Sequence, residues 1–214
     1  SLCVDGLALD RSDFKINTDP PGSTFTPEDS LSTIRVPDGY RLELVAAEPM
    51  IEEPVCMAWG PNGELYVAEM RTYMRDIDMN GELEPLSRIV KLVDLDGDGR
   101  MDKSSTYLDN LVLPRAILTL DNKVLVGEPP HLWLCEDTDG DGVADKKISI
   151  FENFGKRESG NVEHKINGLQ WTMDNWIYNT KSASIFRYRA GTIEERRTVF
   201  SCLLYTSPSP RDRQ

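Results

Sequence analysis

Two acidic, glycine-broken stretches carry the residues best suited to chemistry: "DLDGDGRMDK", Asp94 to Lys103, and "DTDGDGVADK", Asp137 to Lys146. Their first aspartates stand 43 residues apart. In the first, Asp94, Asp96 and Asp98 alternate, Gly97 and Gly99 permit a sharp turn, and Asp102 follows. Asp137, Asp139, Asp141, Gly142 and Asp145 take the same places in the second. Hard carboxylate oxygens at alternate positions suit a hard cation, so each stretch reads as the opening of a calcium loop. The peptide carbonyls of Arg100 and Val143 would add a ligand each, and Asp102 and Asp145 fall at the often water-linked ninth position. Ser105 and Ile148 stand where a helix-flanked loop would place a bidentate Glu, and strand-like runs flank both loops. The expected role is therefore a structural clip rather than a sensor. Solvated Asp/Gly turns share the same composition.

A second set of residues gathers around loops of the other kind. After "LYVAEM" come Glu69, Arg71, Thr72 and Tyr73; "LPRA" brings Arg115; "GEPPH" brings Glu128 and His131. "GNVEHKING" carries Asn161, Glu163, His164, Lys165 and Asn167, and Lys181 follows. Cations, a carboxylate and an imidazole converging on one rim would suit an anionic or polyhydroxy ligand. His164 is the candidate catalytic base, because imidazole can take a hydroxyl proton near neutral pH. A single histidine is more often structural, and His131, beside Pro130, reads that way. Glu69 and Arg71 could instead pair with each other.

The elements that must position these groups are short strands. "VCMAW"–"ELYVAEM" turns at Asn62-Gly63, "AILTL"–"KVLVGE" at Asp121-Asn122, and "INGLQWTM"–"WIYNT" at Asp174-Asn175. Each hairpin is followed by another strand pair: "RIVKLVD" with "SSTYLDN", "HLWLCED" with "KISIFEN", and "SIFRYRA" with "RRTVFSC". The chain thus spells four strands three times, over roughly 55–109, 114–153 and 166–200. The expected fold is all-β: a partial propeller of about three four-stranded blades, with "YRLELVAA" at 40–47 as an N-terminal closing strand. An antiparallel sandwich is the competing arrangement. Turns between first and second strands, and between third and fourth, share one face, so the acidic loops should lie opposite the His164 rim. Trp59, Trp133, Trp171 and Trp176 read as core.

The whole chain sets further bounds. At 214 residues it can bury one sizeable core. Its 36 acidic against 24 basic residues, a net charge of −12, argue against a nucleic-acid partner. No run is long and apolar enough for a membrane span. Cys3, Cys56, Cys135 and Cys202 form no CxxC, and Cys56 and Cys135 sit in strand-like runs as buried free thiols. "TPEDSLSTI" reads as a short helix capped by Thr26. Residues 1–25 form a polar segment, 26–200 an incomplete propeller domain, and 201–214 ("SCLLYTSPSPRDRQ") a non-native-looking or disordered tail, so the chain reads as a truncated fragment.

"SLSTIRVPDGYRLELVAAEPMIEEPVCMAWGPNGELYVAEMRTY", "RIVKLVDLDGDGRMDKS", "LWLCEDTDGDGVADKK" and "EHKINGLQWTMDNWIY" resemble the propeller of the planctomycete-type membrane-bound dehydrogenases. That likeness covers about residues 26–200. It implies a periplasmic or exported protein, with a c-type cytochrome module elsewhere in the full-length chain. More distantly, "HKINGLQWTMDNWIY" is similar to soluble quinoprotein glucose and sorbosone dehydrogenases. There the histidine matching His164 acts as base on a sugar hydroxyl beside pyrroloquinoline quinone. Leu169, Asp174, Ile177 and Tyr178 stay in step with that motif, while Asn167, Met173 and Asn175 depart from it. The resemblance implies a sugar or alcohol substrate. Arg71, Arg115, Asn167 and Lys181 would hold the quinone, and Glu69 and Tyr73 the substrate. The alternative is a non-catalytic, calcium-stabilised module that binds carbohydrate or protein.

Overall fold

The computed structural model describes residues 25–155, 166–180, 184–189 and 191–197. The expected polar segment before residue 25, the tail after residue 200, and Asn161, Glu163, His164, Lys165 and Lys181 lie outside them. One unit ends at Leu44 and, among the described residues, holds one helix, α1 (Pro27–Thr33). Thr26 caps it, its Oγ1 accepting from Asp29 N at 3.1 Å, and Pro27 occupies the first turn, where no N–H is missed. Glu28 and Asp29 sit at the positive end of its dipole.

The other unit, from Val45, is all-β. Its strands are β1 (Pro54–Trp59), β2 (Leu65–Glu69), β3 (Ser87–Val93), β4 (Lys103–Leu111), β5 (Ala116–Leu120), β6 (Lys123–Glu128), β7 (His131–Glu136), β8 (Lys146–Phe151), β9 (Asn167–Trp171), β10 (Ile177–Thr180), β11 (Ser184–Arg189) and β12 (Thr192–Arg197). They form three four-stranded antiparallel sheets in simple sequence order, β1-β2-β3-β4, β5-β6-β7-β8 and β9-β10-β11-β12. The first strands lie side by side, β5 between β1 and β9. Among the described residues the sheets do not close a ring; the arrangement is propeller-like.

Consecutive sheets pack face to face because the strands alternate. In β6, Val124 and Val126 face the first sheet, joining Tyr66, Ala68, Ile89 and Tyr107, while Leu125 faces the third with Ile177 and Phe186. A third cluster covers the outer face of the first sheet, where Val45, Ala46, Met50 and Ile51 pack on Leu65, Val67, Val90 and Leu92. Tyr66 and Tyr107 meet edge to face at 5.0 Å between ring centroids, fixing the contact between β2 and β4.

Several expectations are corrected. Residues 40–47 form no strand; among the described residues nothing supplies them with a ladder, and Tyr40 and Leu42 are exposed. Val45 nevertheless accepts a hydrogen bond from Met101 N at 2.9 Å, just as Tyr107 of β4 accepts from Ala144 N at 2.8 Å. The chain before the first sheet thus takes the place that β4 takes before the second. Among the described residues the strand paired with β11 is Thr192–Arg197, which begins before the "RRTVFSC" expected there, whose residues 198–202 lie outside them. Gly191, at φ +85°, lets β11 turn back within two residues, pairing Arg189 with Thr192, and an edge strand tolerates the polar run "TIEERR". Two of the tryptophans are not core: Trp59 and Trp171 end their strands 53% and 50% exposed, while Trp133 packs half-buried on the first cluster and Trp176 is half-buried.

Candidate ligand cavity and acidic turns

Strand order separates two working edges. The β1–β2, β3–β4, β5–β6, β7–β8 and β9–β10 turns share one edge of the sheets, and both acidic stretches are among them. The starts of β1, β5 and β9 and the end of β2 lie at the opposite edge.

The acidic turns match bond for bond. Asp94 accepts from Gly97 N at 2.7 Å and Gly99 N at 2.9 Å; Asp137 accepts from Gly140 N and Gly142 N at the same two distances. Asp102 accepts from Leu95 N, and Asp145 from Thr138 N, each at 2.7 Å. Carboxylate oxygens of Asp94, Asp96 and Asp102 come within 4.8 Å of one another, as do those of Asp137, Asp139 and Asp145. Asp98 and Asp141 stand outside these groups, each accepting from the N–H two residues on, of Arg100 and Val143. The backbone N–H groups of Gly99 and Gly97 hold Asp94 below the usual carboxylate range, and Thr138 does the same for Asp145. Two acidic clusters able in chemical terms to chelate a cation are thus present. The second touches the neighbouring sheet as well, with Lys91 Nζ 4.0 Å from Asp137.

At the opposite edge, Arg115, Tyr73 and Asn167 line one cavity of about 370 Å3, with Val55, Cys56, Met70 and Gly168. Its walls come from three sheets because Gly168 N donates to the Arg115 carbonyl at 3.4 Å and Arg115 N to the Gly127 carbonyl at 2.9 Å. Arg115 is 9% exposed, with Nε donating to the Leu113 carbonyl at 3.2 Å. Burial holds its guanidinium below its ordinary pKa, against the pull of the Tyr73 phenol beside it. Tyr73 packs on Met70, Val112 and Leu113. The Asn167 side-chain carbonyl accepts from the Thr180 hydroxyl.

Other expected rim residues are committed elsewhere. Arg71 is paired with Glu52, not with Glu69. Glu69 is fully buried, so it presents no carboxylate to a substrate from an open rim. Its Oε1 accepts from Glu52 N at 2.9 Å, and its Oε2 pairs with Arg88, whose pKa is raised chiefly by that hydrogen bond. Glu128 repeats the device at the end of β6: Oε1 accepts from Val112 N and Oε2 from the Trp133 indole N–H, both at 2.7 Å, with Lys147 Nζ at 3.4 Å. In each of the first two sheets a buried carboxylate ending the second strand thus holds the chain that leads into the first strand. The signal was available in "LYVAE" and "VLVGE", which end in Glu at the same hairpin position. His131 is engaged too, its Nδ1 3.1 Å from Ser149 Oγ and its ring 4.5 Å from that of Trp133. Cys56 and Cys135 are free, and burial pushes both thiols up to about 12, away from thiolate reactivity.

The β9–β10 turn offers a pH test. Asp174 accepts from the Thr172 hydroxyl, from Trp176 N and from the Tyr178 hydroxyl, and the first of these does most to hold its pKa down. A depressed folded-state pKa contributes stability that is full above the ordinary carboxyl value of about 4 and fades as pH falls through the lower folded value. An NMR titration should place the Asp174 midpoint below that ordinary value, and Thr172→Val should move it upward. A midpoint unmoved by Thr172→Val would show that the hydroxyl does not set it.

Stacked four-stranded antiparallel sheets, with acidic turns at one edge and a guanidinium-walled cavity at the other, define a propeller-like β-domain. A protein-family model described as "Domain of unknown function (DUF7133)" matches residues 26–202, and the chain belongs to that family. Among solved structures, one described as a "putative gluconolactonase" is similar at 18% identity and a TM-score of 0.45, over 68% of this chain and 48% of that one. The chain therefore spans about half the length of that relative. No curated protein matches it. No helix among the described residues is long and apolar enough to cross a membrane.

Proposed function

We propose that this domain is the propeller portion of a periplasmic or exported dehydrogenase that oxidises a hydroxyl of a sugar or alcohol, with its ligand in the Arg115 cavity. The reading is carried by the convergence of Arg115, Tyr73 and Asn167 on that one cavity, at the edge opposite the acidic turns. His164, three residues before Asn167 in the chain, is the base that removes the hydroxyl proton. Arg115 orients an anionic or hydroxyl oxygen, while the Tyr73 phenol and the Asn167 carboxamide hold neighbouring polar groups. The apolar wall of Val55 and Met70 limits water around the reacting carbon.

The donor set fits one acidic edge of pyrroloquinoline quinone: Arg115 and Asn167 would hold a carboxylate there, and Lys181 would add a second cation. Arg71 does not join them, being bound to Glu52. When bound, the quinone supplies a two-electron acceptor for the hydride, and a c-type cytochrome module elsewhere in the full-length protein is the electron exit. A second reading is favoured by the internal commitment of Glu69 and Arg71. In it, the cavity belongs to a non-catalytic module that recognises carbohydrate or protein.

Titration with the quinone, followed by dye-linked turnover on a sugar panel, separates the two. The dehydrogenase reading expects quinone binding and turnover that His164→Ala abolishes. Turnover retained by His164→Ala removes the base assignment, and absence of quinone binding removes the oxidoreductase reading in favour of the second.

Calcium at the two acidic turns is part of the same proposal, as a clip between consecutive elements. Its support is the duplicate geometry, together with the bond each turn makes to the preceding element, Met101 N to Val45 and Ala144 N to Tyr107. Calcium at a hundredfold excess over its dissociation constant should stabilise the fold by about 2.7 kcal/mol per site. The melting temperature should rise with calcium, fall with chelator, and lose half that response in Asp137→Asn. Melting unaffected by chelator would leave the turns as solvated corners.

A further inference from the structure

We propose that a second cleft, between the second and third sheets at the turn edge, binds a neutral saccharide against the Trp171 ring. The cleft, of about 580 Å3, is lined by Trp171, Tyr188, Asp121, Asn122 and Asn175. Trp171 is half exposed and belongs to none of the buried clusters, and among the described residues its ring meets no aromatic or cationic partner. Leaving an indole face in water forgoes a large apolar contact, so the ring is available to a ligand with an apolar face of its own. Asp121 and Asn175 are the left-handed tips of the β5–β6 and β9–β10 hairpins, at φ 51° and 61°. Their side chains bring a carboxylate and a carboxamide to the rim of the cleft, while the Asn122 amide donates to Glu136 at 2.9 Å and accepts from Lys123 at 3.0 Å.

An aromatic plane bordered by hydroxyl, carboxamide and carboxylate groups matches a pyranose, whose C–H face packs on the ring while its edge hydroxyls need both donors and acceptors. The charge selects a neutral sugar. Asp121 lies on the wall, and the one lysine of the lining, Lys123, is spent on Glu136 at 3.0 Å. An acidic sugar would meet the Asp121 carboxylate with no cation of the lining to balance it. This cleft lies at the opposite edge from the Arg115 cavity, so the inference does not depend on the dehydrogenase reading.

The test is an NMR titration of the full chain with cellobiose, lactose and mannobiose, with glucuronate as the anionic control. The Trp171 indole N–H resonance is identified by its loss in Trp171→Ala. A neutral disaccharide should shift that resonance saturably, and glucuronate should not. Calorimetry should then show binding weakened about tenfold or more in Trp171→Ala, as expected for loss of a ring-face contact, and partly kept in Trp171→Phe. Asp121→Ala, which leaves the ring in place, should weaken it too. The inference is overturned by no saturable shift with any neutral disaccharide, by an affinity unchanged from the parent protein in Trp171→Ala, or by tighter binding of glucuronate.

Discussion

Glu69→Ala is expected to cost about 3–5 kcal/mol of unfolding free energy, a large share of what holds a domain of this size together. The side chain is fully buried and both carboxylate oxygens are used: one by Glu52 N, the other by Arg88. Truncation therefore strands two groups. The Glu52 N–H loses its acceptor beside a buried site, and the Arg88 guanidinium, itself 24% exposed, loses the charge that balances it. Glu69→Gln should cost less than alanine, because its carbonyl can still accept from Glu52 N while the Arg88 pairing is weakened. Glu128→Ala should lose a comparable amount by the same device, stranding Val112 N and the Trp133 indole. Guanidinium denaturation of the three variants measures this. A loss below about 1 kcal/mol for Glu69→Ala would mean that water replaces the carboxylate, and that the repeated buried Glu is not what anchors the first strands.

The same residue shows where sequence ceases to inform. The hairpins were legible because turn chemistry is local: Asn62-Gly63, Asp121-Asn122 and Asp174-Asn175 each join two short strands, and β5 and β6 fall where the alternation places them. Sheet order followed from those turns, and with it the separation of the acidic turns from the edge that carries Tyr73, Arg115 and Asn167. Burial of a charge is not local. Glu69 reads as a surface group by type, and only the packing of the chain before β1 across the end of β2 removes it from water. The Arg71 partner is hidden for the same reason, Glu52 lying across that packing rather than beside it in the sequence. β12 begins four residues before the expected "RRTVFSC" for the opposite reason. An outer strand needs no apolar face, so "TIEERR" carries little strand signal beyond the glycine before it. Trp59 and Trp171 were expected inside on residue type alone, whereas their place at strand ends leaves half of each ring in solvent.

Phe154→Ala should be as costly as Glu69→Ala, through packing rather than charge, at about 3–5 kcal/mol. Phe154 is fully buried beyond the end of β8, tied by its N–H to the Pro130 carbonyl at 2.8 Å. Its ring fills the space that Gly127 leaves by having no side chain: a Cβ at Gly127 would lie 2.5 Å from Phe154 Cε1 and 2.8 Å from the Ala116 Cβ. On the far side the ring lies 6.4 Å from Phe186 of the third sheet, which in turn stands edge to face on Phe151 at 4.7 Å. Hydrogen-bonded sheets bound this space on both sides, so it cannot collapse once the ring is gone, and the void costs more than the transfer energy of the lost atoms. Gly127→Ala supplies an independent arm. Alone it overpacks the site and should cost about 1–3 kcal/mol, whereas in the Phe154→Ala background its clash with the ring is gone, only the 2.8 Å approach to Ala116 remains, and it should cost less than it does alone. Hydrogen exchange should quicken in β9–β11 and stay slow in β2 and β3, since the first sheet packs on the opposite face of the second. If the two substitutions simply add, Phe154 does not occupy the space above Gly127, and the contact between the second and third sheets depends on Leu125, Ile177 and Phe186 without it.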